Sequence, residues 1–173
     1  MARPRARLSL KGRALQLLAQ RDQSRLELRA KLLRHAAAEA RARAAEAEAN
    51  PHGASDTGEA GDEGDGRAEV EALLDWLEAN RYLSAERFAE SRVHAREARF
   101  GNRRIRAELA QHGVALSPEV SQALAESELQ RAAAVRERRF QEPPRDAAER
   151  AAQARFLAGR GFSPEVIQRV LRR

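Results

Sequence analysis

The chain has 173 residues, a formal net charge of +6 and a charged fraction of 34%. Its residues are 42% hydrophobic but 4% aromatic, which is thin for a single large core and favours helices with extensive surface. It contains no cysteine, which excludes disulfides, thiolate metal sites and cysteine nucleophiles.

The first part of the chain predicts a basic tail and then the beginning of a helical repeat. Residues 1–13 carry four arginines and Lys11 without an acid, and we expect them to form a solvated basic tail. A short leucine-rich helix should follow and end near Asp22. Ser24, with Glu27 three residues later, has the spacing of a capping box and predicts the start of a second helix.

Residues 36–66 are predicted to be an insertion within this first repeat, which spans residues 14–83. The alanine-rich run from Ala36 to Ala49 has high helix propensity but no large apolar side chain to bury. It should therefore extend the second helix into solvent. Residues 50–66 are rich in glycine and acidic residues, a composition that predicts disorder.

A third helix is predicted from about Arg67 to Asn80. Trp76 lies beside its apolar stripe, and we interpret it as a half-buried packing residue rather than a base-stacking platform. The stripe has the i, i+3, i+4, i+7 spacing of an amphipathic helix and consists of Val70, Leu73, Leu74 and Leu77.

The second repeat is predicted over residues 84–125 and contains an arginine-rich elbow. Ser84 can cap a helix whose first turn holds Glu86, and Gly101 interrupts the apolar pattern after that helix. A second helix should end at Gly113, since glycine favours the left-handed conformation that follows many helices. The buried stripe of the first of these helices is predicted to be Ala85, Phe88, Ala89 and Val93.

Two Ser-Pro-Glu runs predict further helix starts, at Ser117 and at Ser163. The first should begin a short helix with Val120, Ala123 and Leu124 on its buried face. A separate helix from about Glu126 to Phe140 is then predicted to open the third repeat, residues 126–173, before a pair of prolines ends it.

Internal similarity organises these helices into repeats. LRAKLLRH, beginning at Leu28, is matched by IRAELAQH, beginning at Ile105, and SPEV at Ser117 recurs at Ser163. We therefore predict an all-α fold of three tandem three-helix repeats that form an elongated, curved array, with the disordered acidic insertion in the first repeat. Such an array suits a long partner better than a small substrate.

The motifs of enzymes and cofactor sites are missing from the sequence. It has no phosphate-binding loop, GxGxxG or GxSxG, and its four histidines lack metal-ligand spacing. We expect no catalytic residue, cofactor or metal. The chain also lacks a run of about 18 apolar residues and the apolar core of a signal peptide. We therefore expect a cytoplasmic protein that does not contact a membrane.

A sequence pI near 10.9 favours a polyanionic partner, either nucleic acid or an acidic protein surface. Most of the positive charge is arginine, whose guanidinium group pairs with both phosphate and carboxylate. The candidate contacts with such a partner are Arg87, Arg92, Arg96, Arg99, Arg103, Arg104, Arg106, Arg136, Arg138 and Arg139.

Two segments resemble the signature of the RecX family, regulatory proteins of the bacterial RecA recombinase. They are YLSAERFAESRVHAREARFGNRRIRAEL, beginning at Tyr82, and ARFLAGRGFSPEVIQRVLRR, beginning at Ala154. Members of this family consist of three tandem three-helix repeats, which agrees with the repeats found here. The resemblance implies candidate contacts at Arg87, Arg103, Arg104 and Arg106, and fold positions at Tyr82, Leu83, Phe88, Ile105, Leu109 and Gly113.

The resemblance also implies a partner, the RecA filament on single-stranded DNA. A protein of this family is expected to lie in the groove of the filament and to suppress its growth, ATP hydrolysis, strand exchange and coprotease activity. DNA repair and the SOS response would be regulated in this way by a monomer with weaker, phosphate-mediated affinity for single-stranded DNA. The alternative is a stand-alone nucleic-acid-binding architectural protein whose arginines contact phosphates only.

Overall fold

In the computed structural model, which describes residues 8–49 and 63–172, the regular secondary structure is α-helix throughout. This confirms the predicted all-α class. The helices within those ranges are α1 (Leu10–Gln20), α2 (Arg25–Ala49), α3 (Glu63–Ala79), α4 (Ala85–Glu97), α5 (Asn102–Gln111), α6 (Pro118–Arg139), α7 (Ala147–Gly159) and α8 (Pro164–Leu171).

The chain divides into two compact units, one ending at Ser84 and the other beginning at Ala85. Unit 1 contains α1 to α3, the helices of the first predicted repeat. Unit 2 contains α4 to α8, the helices of the second and third predicted repeats. The curvature predicted for the whole array stays a prediction.

Several helices begin at the residues whose chemistry predicted them. The Ser24 hydroxyl accepts a hydrogen bond from the Glu27 N–H at 3.1 Å, and the Ser117 hydroxyl accepts one from the Val120 N–H at 3.3 Å. Each hydroxyl satisfies one of the backbone donors that a helix leaves unpaired at its start. The third predicted cap, at Ser163, is different: α8 follows it, but its side chain makes no capping hydrogen bond.

Two predicted boundaries in unit 1 are wrong by four residues. The basic tail was predicted to reach Arg13, but α1 begins at Leu10, and the hydroxyl of Ser9 accepts from the Gly12 N–H. Helix α3 begins at Glu63 instead of near Arg67. A glycine inside a helix lowers the stability of the helix by about 1 kcal/mol relative to alanine. The packing of the rest of α3 offsets this cost. Of the segment predicted to be disordered, residues 50–62 lie outside the described residues.

Helix α6 is one continuous helix where the sequence predicted two. It runs from Pro118 to Arg139 and supplies the last helix of the second repeat and the first helix of the third. The residues at the expected break, Ala125 to Glu128, include neither glycine nor proline, so no local signal ends the helix there. The two repeats of unit 2 are therefore joined by an uninterrupted helix.

Each predicted repeat has its own hydrophobic core among the described residues, as the low aromatic content suggested. The α3 stripe is confirmed, with Val70, Leu74 and Leu77 fully buried, whereas Ala85 and Ala123, predicted to be buried, are exposed at the edges of their stripes. Prominent core members are Leu28, Leu32 and Leu74 in the first repeat, Phe88, Ile105 and Leu109 in the second, and Leu157, Phe162 and Val170 in the third.

Trp76 packs at the surface of unit 1 rather than in its core. Its side chain is 36% exposed and stacks on the ring of Tyr82, with centroids 5.6 Å apart. The Nζ atom of Lys11 lies 3.6 Å from the centre of the Trp76 ring on which it packs. Tyr82 is 49% exposed, and its ring contributes to this stack at the surface.

The turn before α5 makes a close backbone contact with the turn before α8. Gly101 N donates to Arg160 O at 3.0 Å, and Arg103 N donates to Gly161 O at 3.1 Å. Gly161 has φ 82, a left-handed conformation that favours glycine, and Gly113 has φ 67 as predicted for the end of α5. A side chain at Gly101 would place its Cβ 2.3 Å from Phe162 N, so this contact requires glycine.

We predict that Gly101→Ala lowers the free energy of unfolding by about 2–4 kcal/mol, because the added methyl group meets backbone atoms that cannot move aside. Gly159→Ala is the matched control, since a Cβ there has no atom within 4 Å. It should change stability by less than about 1 kcal/mol, in the stabilising direction. Urea denaturation measures both, and equal effects of the two substitutions would contradict the close contact.

Candidate partner-binding surface

A buried carboxylate joins three helices of unit 2. Glu128, on α6, is 5% exposed, and its Oε1 accepts from the backbone N–H groups of Asn102 at 3.0 Å and Ser163 at 3.3 Å. The Ser163 hydroxyl donates to Oε2 at 3.3 Å, which explains why this hydroxyl does not cap its own helix. One side chain thus binds backbone donors at the starts of α5 and α8.

Arg131, one turn further along α6, completes this arrangement. It donates to the side-chain oxygen of Asn102 and to the backbone oxygens of Leu124, Phe100 and Glu97. Burial lowers the pKa of Arg131, and the nearby carboxylates of Glu128 and Glu97 oppose that shift. We call Asn102, Glu128, Arg131 and Ser163 the Glu128 cluster.

The sequence contains a signal for this cluster that composition and motif searches missed. Glu128 and Arg131 continue the stripe that Leu124 begins and Val135 ends on α6. Charged residues within a buried stripe need polar partners, because an unpaired charge in a core is strongly destabilising. Recognising the stripe would have predicted a buried ionic contact at these positions.

The carboxyl end of α4 accepts hydrogen bonds from arginines of the third repeat. Arg131 binds the carbonyl oxygens of Glu97 and Phe100, Arg138 binds that of Ala98 at 3.4 Å, and Arg160 binds that of Arg99 at 3.2 Å. Carbonyls at the end of a helix lack partners within the helix and carry its negative dipole, so guanidinium groups stabilise them. Arg138, a predicted partner contact, therefore also has a contact inside the protein.

Other predicted contact arginines are paired with carboxylates. Arg96 makes two hydrogen bonds to Glu108 through Nε and a third through Nη2, at 3.1–3.3 Å. Arg92 Nη1 lies 3.5 Å from the same carboxylate. Arg136 is largely buried, with its Nη2 atom 4.0 Å from Glu137. These three side chains are partly neutralised within the protein.

The same pairing operates in unit 1. Arg25 of α2 forms ion pairs with Glu71, Asp75 and Glu78 of α3 at 2.8–2.9 Å, and Arg29 also contacts Glu71. The hydrogen bond with Asp75 is the main influence that raises the pKa of Arg25. The hydrogen bonds from Arg29 and Arg25 lower the pKa of Glu71. These arginines hold α2 against α3.

A further group of predicted contact arginines has no carboxylate within 4.0 Å in the part of the chain that the structure describes. Arg106 donates to the Ser121 hydroxyl at 2.8 Å, and Arg104 lies over the ring of Phe100 at 4.2 Å. Arg87 is exposed on α4 but has a contact within the protein, so it does not belong to this group. The arginines without a carboxylate partner are Arg99, Arg103, Arg104, Arg106, Arg138 and Arg139.

Within residues 8–49 and 63–172, no group of histidines and acidic residues has the arrangement of a metal site, and no helix is long and apolar enough to span a bilayer. His112 contributes instead to packing: its ring meets that of Phe88 edge-on, with centroids 5.2 Å apart.

The fold and the exposed arginines together define a class: a helical-repeat protein with a cationic surface. Family models identify the repeats individually: residues 86–117 match the second three-helix domain of RecX, and residues 126–171 match the third. Among curated relatives, the regulatory protein RecX of Ralstonia nicotianae is 46% identical, with 99% of this chain and 91% of that protein covered. The chain belongs to the RecX family of regulatory proteins.

A further relative supports the same family, and a solved structure supports the same fold. The regulatory protein RecX of Herbaspirillum seropedicae is 44% identical over 95% of this chain and 90% of that protein. The crystal structure of RecX from Lactobacillus salivarius superposes with a TM-score of 0.61 at 15% identity, covering 94% of this chain and 92% of that one. The family resemblance and the three-helix repeats predicted from the sequence are thereby confirmed.

We predict that Glu128→Ala lowers the free energy of unfolding by about 2–4 kcal/mol, since it leaves Arg131 without its carboxylate and two backbone donors without an acceptor. Glu126→Ala, at an exposed position two residues earlier that bonds Gln122, should change it by less than about 0.5 kcal/mol. Denaturant unfolding compares them. A Glu128→Ala protein as stable as the control would show that the cluster is dispensable.

Proposed function

We propose that the protein is a non-enzymatic regulator of the RecA recombinase. In this proposal it binds the RecA filament on single-stranded DNA, occupies the groove of the filament and suppresses filament growth, ATP hydrolysis, strand exchange and coprotease activity. Regulation of DNA repair and of the SOS response would follow. It would act in the cytoplasm as a monomer and without a cofactor. Membership of a family of regulatory proteins supports this proposal.

The observation that carries the proposal is the division of arginines in unit 2. Arg92 and Arg96 are committed to Glu108, whereas Arg103 and Arg104 have no carboxylate within 4.0 Å among the described residues. Guanidinium groups without a carboxylate partner can bind phosphate oxygens or the acidic side chains of another protein. A nucleoprotein filament presents both. Binding along its groove would inhibit by occupying the space that the filament needs for exchange.

The alternative is a stand-alone nucleic-acid-binding architectural protein. The unpaired guanidinium groups support it as well, because they fit phosphates whether or not a recombinase is present. The alternatives differ in two measurable ways. A pure phosphate binder loses about 0.7 log units of affinity per contact for each tenfold rise in salt on single strands, and its affinity is independent of RecA.

We predict that the triple substitution Arg103→Ala, Arg104→Ala and Arg106→Ala raises the concentration needed for half-inhibition of RecA ATPase on single-stranded DNA by at least about tenfold, because each substitution removes a charge-assisted hydrogen bond to the filament. Circular dichroism should show unchanged helical content, since all three side chains are exposed. The measurement is ATP hydrolysis by RecA over a titration of the variant.

The matched control removes three exposed arginines from unit 1, by Arg41→Ala, Arg43→Ala and Arg67→Ala. It has the same net charge as the test variant and should inhibit like the unmodified protein. Full inhibition by the Arg103, Arg104 and Arg106 variant would show that these residues are not the contact. Equal loss in both variants would show that total charge, rather than position, determines binding.

A further inference from the structure

We propose that a strip of neighbouring arginine and phenylalanine side chains in unit 2 is the part of this protein that binds single-stranded polynucleotide. The inference deepens the proposed function and rests on it for the filament, because it separates DNA contacts from protein contacts. The arginine–phenylalanine strip consists of Arg99, Phe100, Arg104, Arg139, Phe140, Phe156 and Arg160.

One end of the strip is organised by Phe100, the residue that precedes the turn into α5. The Cζ atom of Arg104 lies 4.2 Å from the centre of the Phe100 ring, and that of Arg99 lies 5.7 Å from it. Phe100 is partly buried against the core of the second repeat. The ring is therefore fixed by the fold, and both guanidinium groups lie against it.

The other end is organised by two rings of the third repeat. Phe140 and Phe156 meet edge-on with centroids 5.3 Å apart. Arg160 lies over Phe156, with its Cζ atom 4.6 Å from the ring centre, and Arg139 lies 5.4 Å from the centre of Phe140. Phe156 packs against the core of the third repeat, which fixes this end as Phe100 fixes the other.

A direct hydrogen bond joins the two ends. Arg160 Nη1 donates to the carbonyl oxygen of Arg99 at 3.2 Å, and the Gly101 N–H donates to Arg160 O at 3.0 Å. Glu128 binds the backbone N–H groups of Asn102 and Ser163 and so contacts the same two turns. The strip is therefore continuous across the second and third repeats within one compact unit.

The strip presents guanidinium groups that are oriented and not neutralised. None of its four arginines has a carboxylate within 4.0 Å among the described residues of the chain. A guanidinium group lying on a ring uses one face for stacking, and its in-plane N–H groups remain directed outward, where they can donate to phosphate oxygens. Holding the side chains in place beforehand reduces the entropy lost on binding.

The aromatic component favours a polynucleotide over an acidic protein surface. An acidic peptide would pair with the four arginines but would gain little binding energy from the phenylalanine rings beside them. A single strand alternates phosphates with flat bases, which stack on aromatic rings and on the open faces of guanidinium groups. Bases in a duplex are stacked on one another and do not offer that face. The combination of cationic groups and aromatic rings on one surface therefore matches single-stranded nucleic acid.

The strip includes residues that no sequence motif identified. Arg160 and the three phenylalanines are absent from the predicted contacts, whereas Arg99, Arg104 and Arg139 belong to them. Their shared surface depends on the packing of α7 against α6 and of two turns against each other.

The test measures fluorescence anisotropy of a labelled oligodeoxythymidine with the full chain over a range of salt. The variant Phe100→Leu with Phe156→Leu keeps every charge and should bind about five- to tenfold more weakly, because it removes the rings that orient the arginines and stack on bases. Phe100→Tyr with Phe156→Tyr retains the aromatic surfaces and should restore binding. Tyr82→Leu removes an exposed aromatic ring of unit 1 and should leave affinity unchanged.

A charge variant, Arg104→Ala with Arg160→Ala, should reduce the dependence of log affinity on log salt by about 1.4, the contribution of two phosphate contacts. Wild-type affinity of the Phe-to-Leu variant, with folding confirmed by circular dichroism, would overturn the strip as a stacking site. Wild-type oligonucleotide affinity of both variants, with weaker binding to RecA filaments, would overturn it by assigning the strip to a protein surface.

The proposed function has a separate readout, inhibition of RecA ATPase by the unmodified protein. Failure to inhibit, with oligonucleotide binding that depends on the strip, would contradict the proposed function and leave the strip supported. If the unmodified protein inhibits but no strip substitution changes oligonucleotide binding, the proposed function is supported and the strip is contradicted.

Discussion

Glu128 holds unit 2 together in a way that hydrophobic packing alone does not. The second and third repeats each bury a separate core, and α6 passes through both. The carboxylate of Glu128 binds donors that begin α5 and α8, and Arg131 supplies its countercharge and binds the end of α4. A buried ionised group is stable when charge and hydrogen bonds are both satisfied, so the surrounding turns must keep this geometry. The relative placement of the two repeats follows from that requirement and from the backbone contact between Gly101 and Arg160.

The same turns determine which arginines are available to a partner. Arg131, Arg138 and Arg160 contact carbonyl oxygens at the end of α4, and Arg92 and Arg96 are paired with Glu108. Positive charge in this chain therefore has two functions that composition cannot separate: some guanidinium groups stabilise the fold, and others have no carboxylate partner among the described residues. Internal partners neutralise some of the arginines. The remaining positive charge is therefore confined to particular parts of the surface.

Much of the fold could be predicted because its signals are local. Capping at Ser24 and Ser117, the stripe on α3 and the left-handed Gly113 depend on neighbouring residues, and all are found as expected. The continuity of α6 was missed because repeats suggested a boundary where no helix-ending residue exists. Arg138 and Ser163 acquired contacts from distant segments, which periodicity cannot reveal. Phe100 and Phe156 are linked through Arg160, which lies over Phe156 and bonds the carbonyl oxygen of Arg99, so no spacing in the sequence identifies this surface.

The most direct test of this account is amide hydrogen exchange under native conditions at the donors that the Glu128 cluster and the glycine contact bind. The N–H groups of Gly101, Asn102, Arg103 and Ser163 should open with the same free energy as core amides at Leu109 and Val170, within about 1 kcal/mol, because one cooperative unit contains them all. Exchange of these four amides at near-zero opening free energy, or different opening free energies for the two cores, would contradict it. The two repeats would then be independent modules.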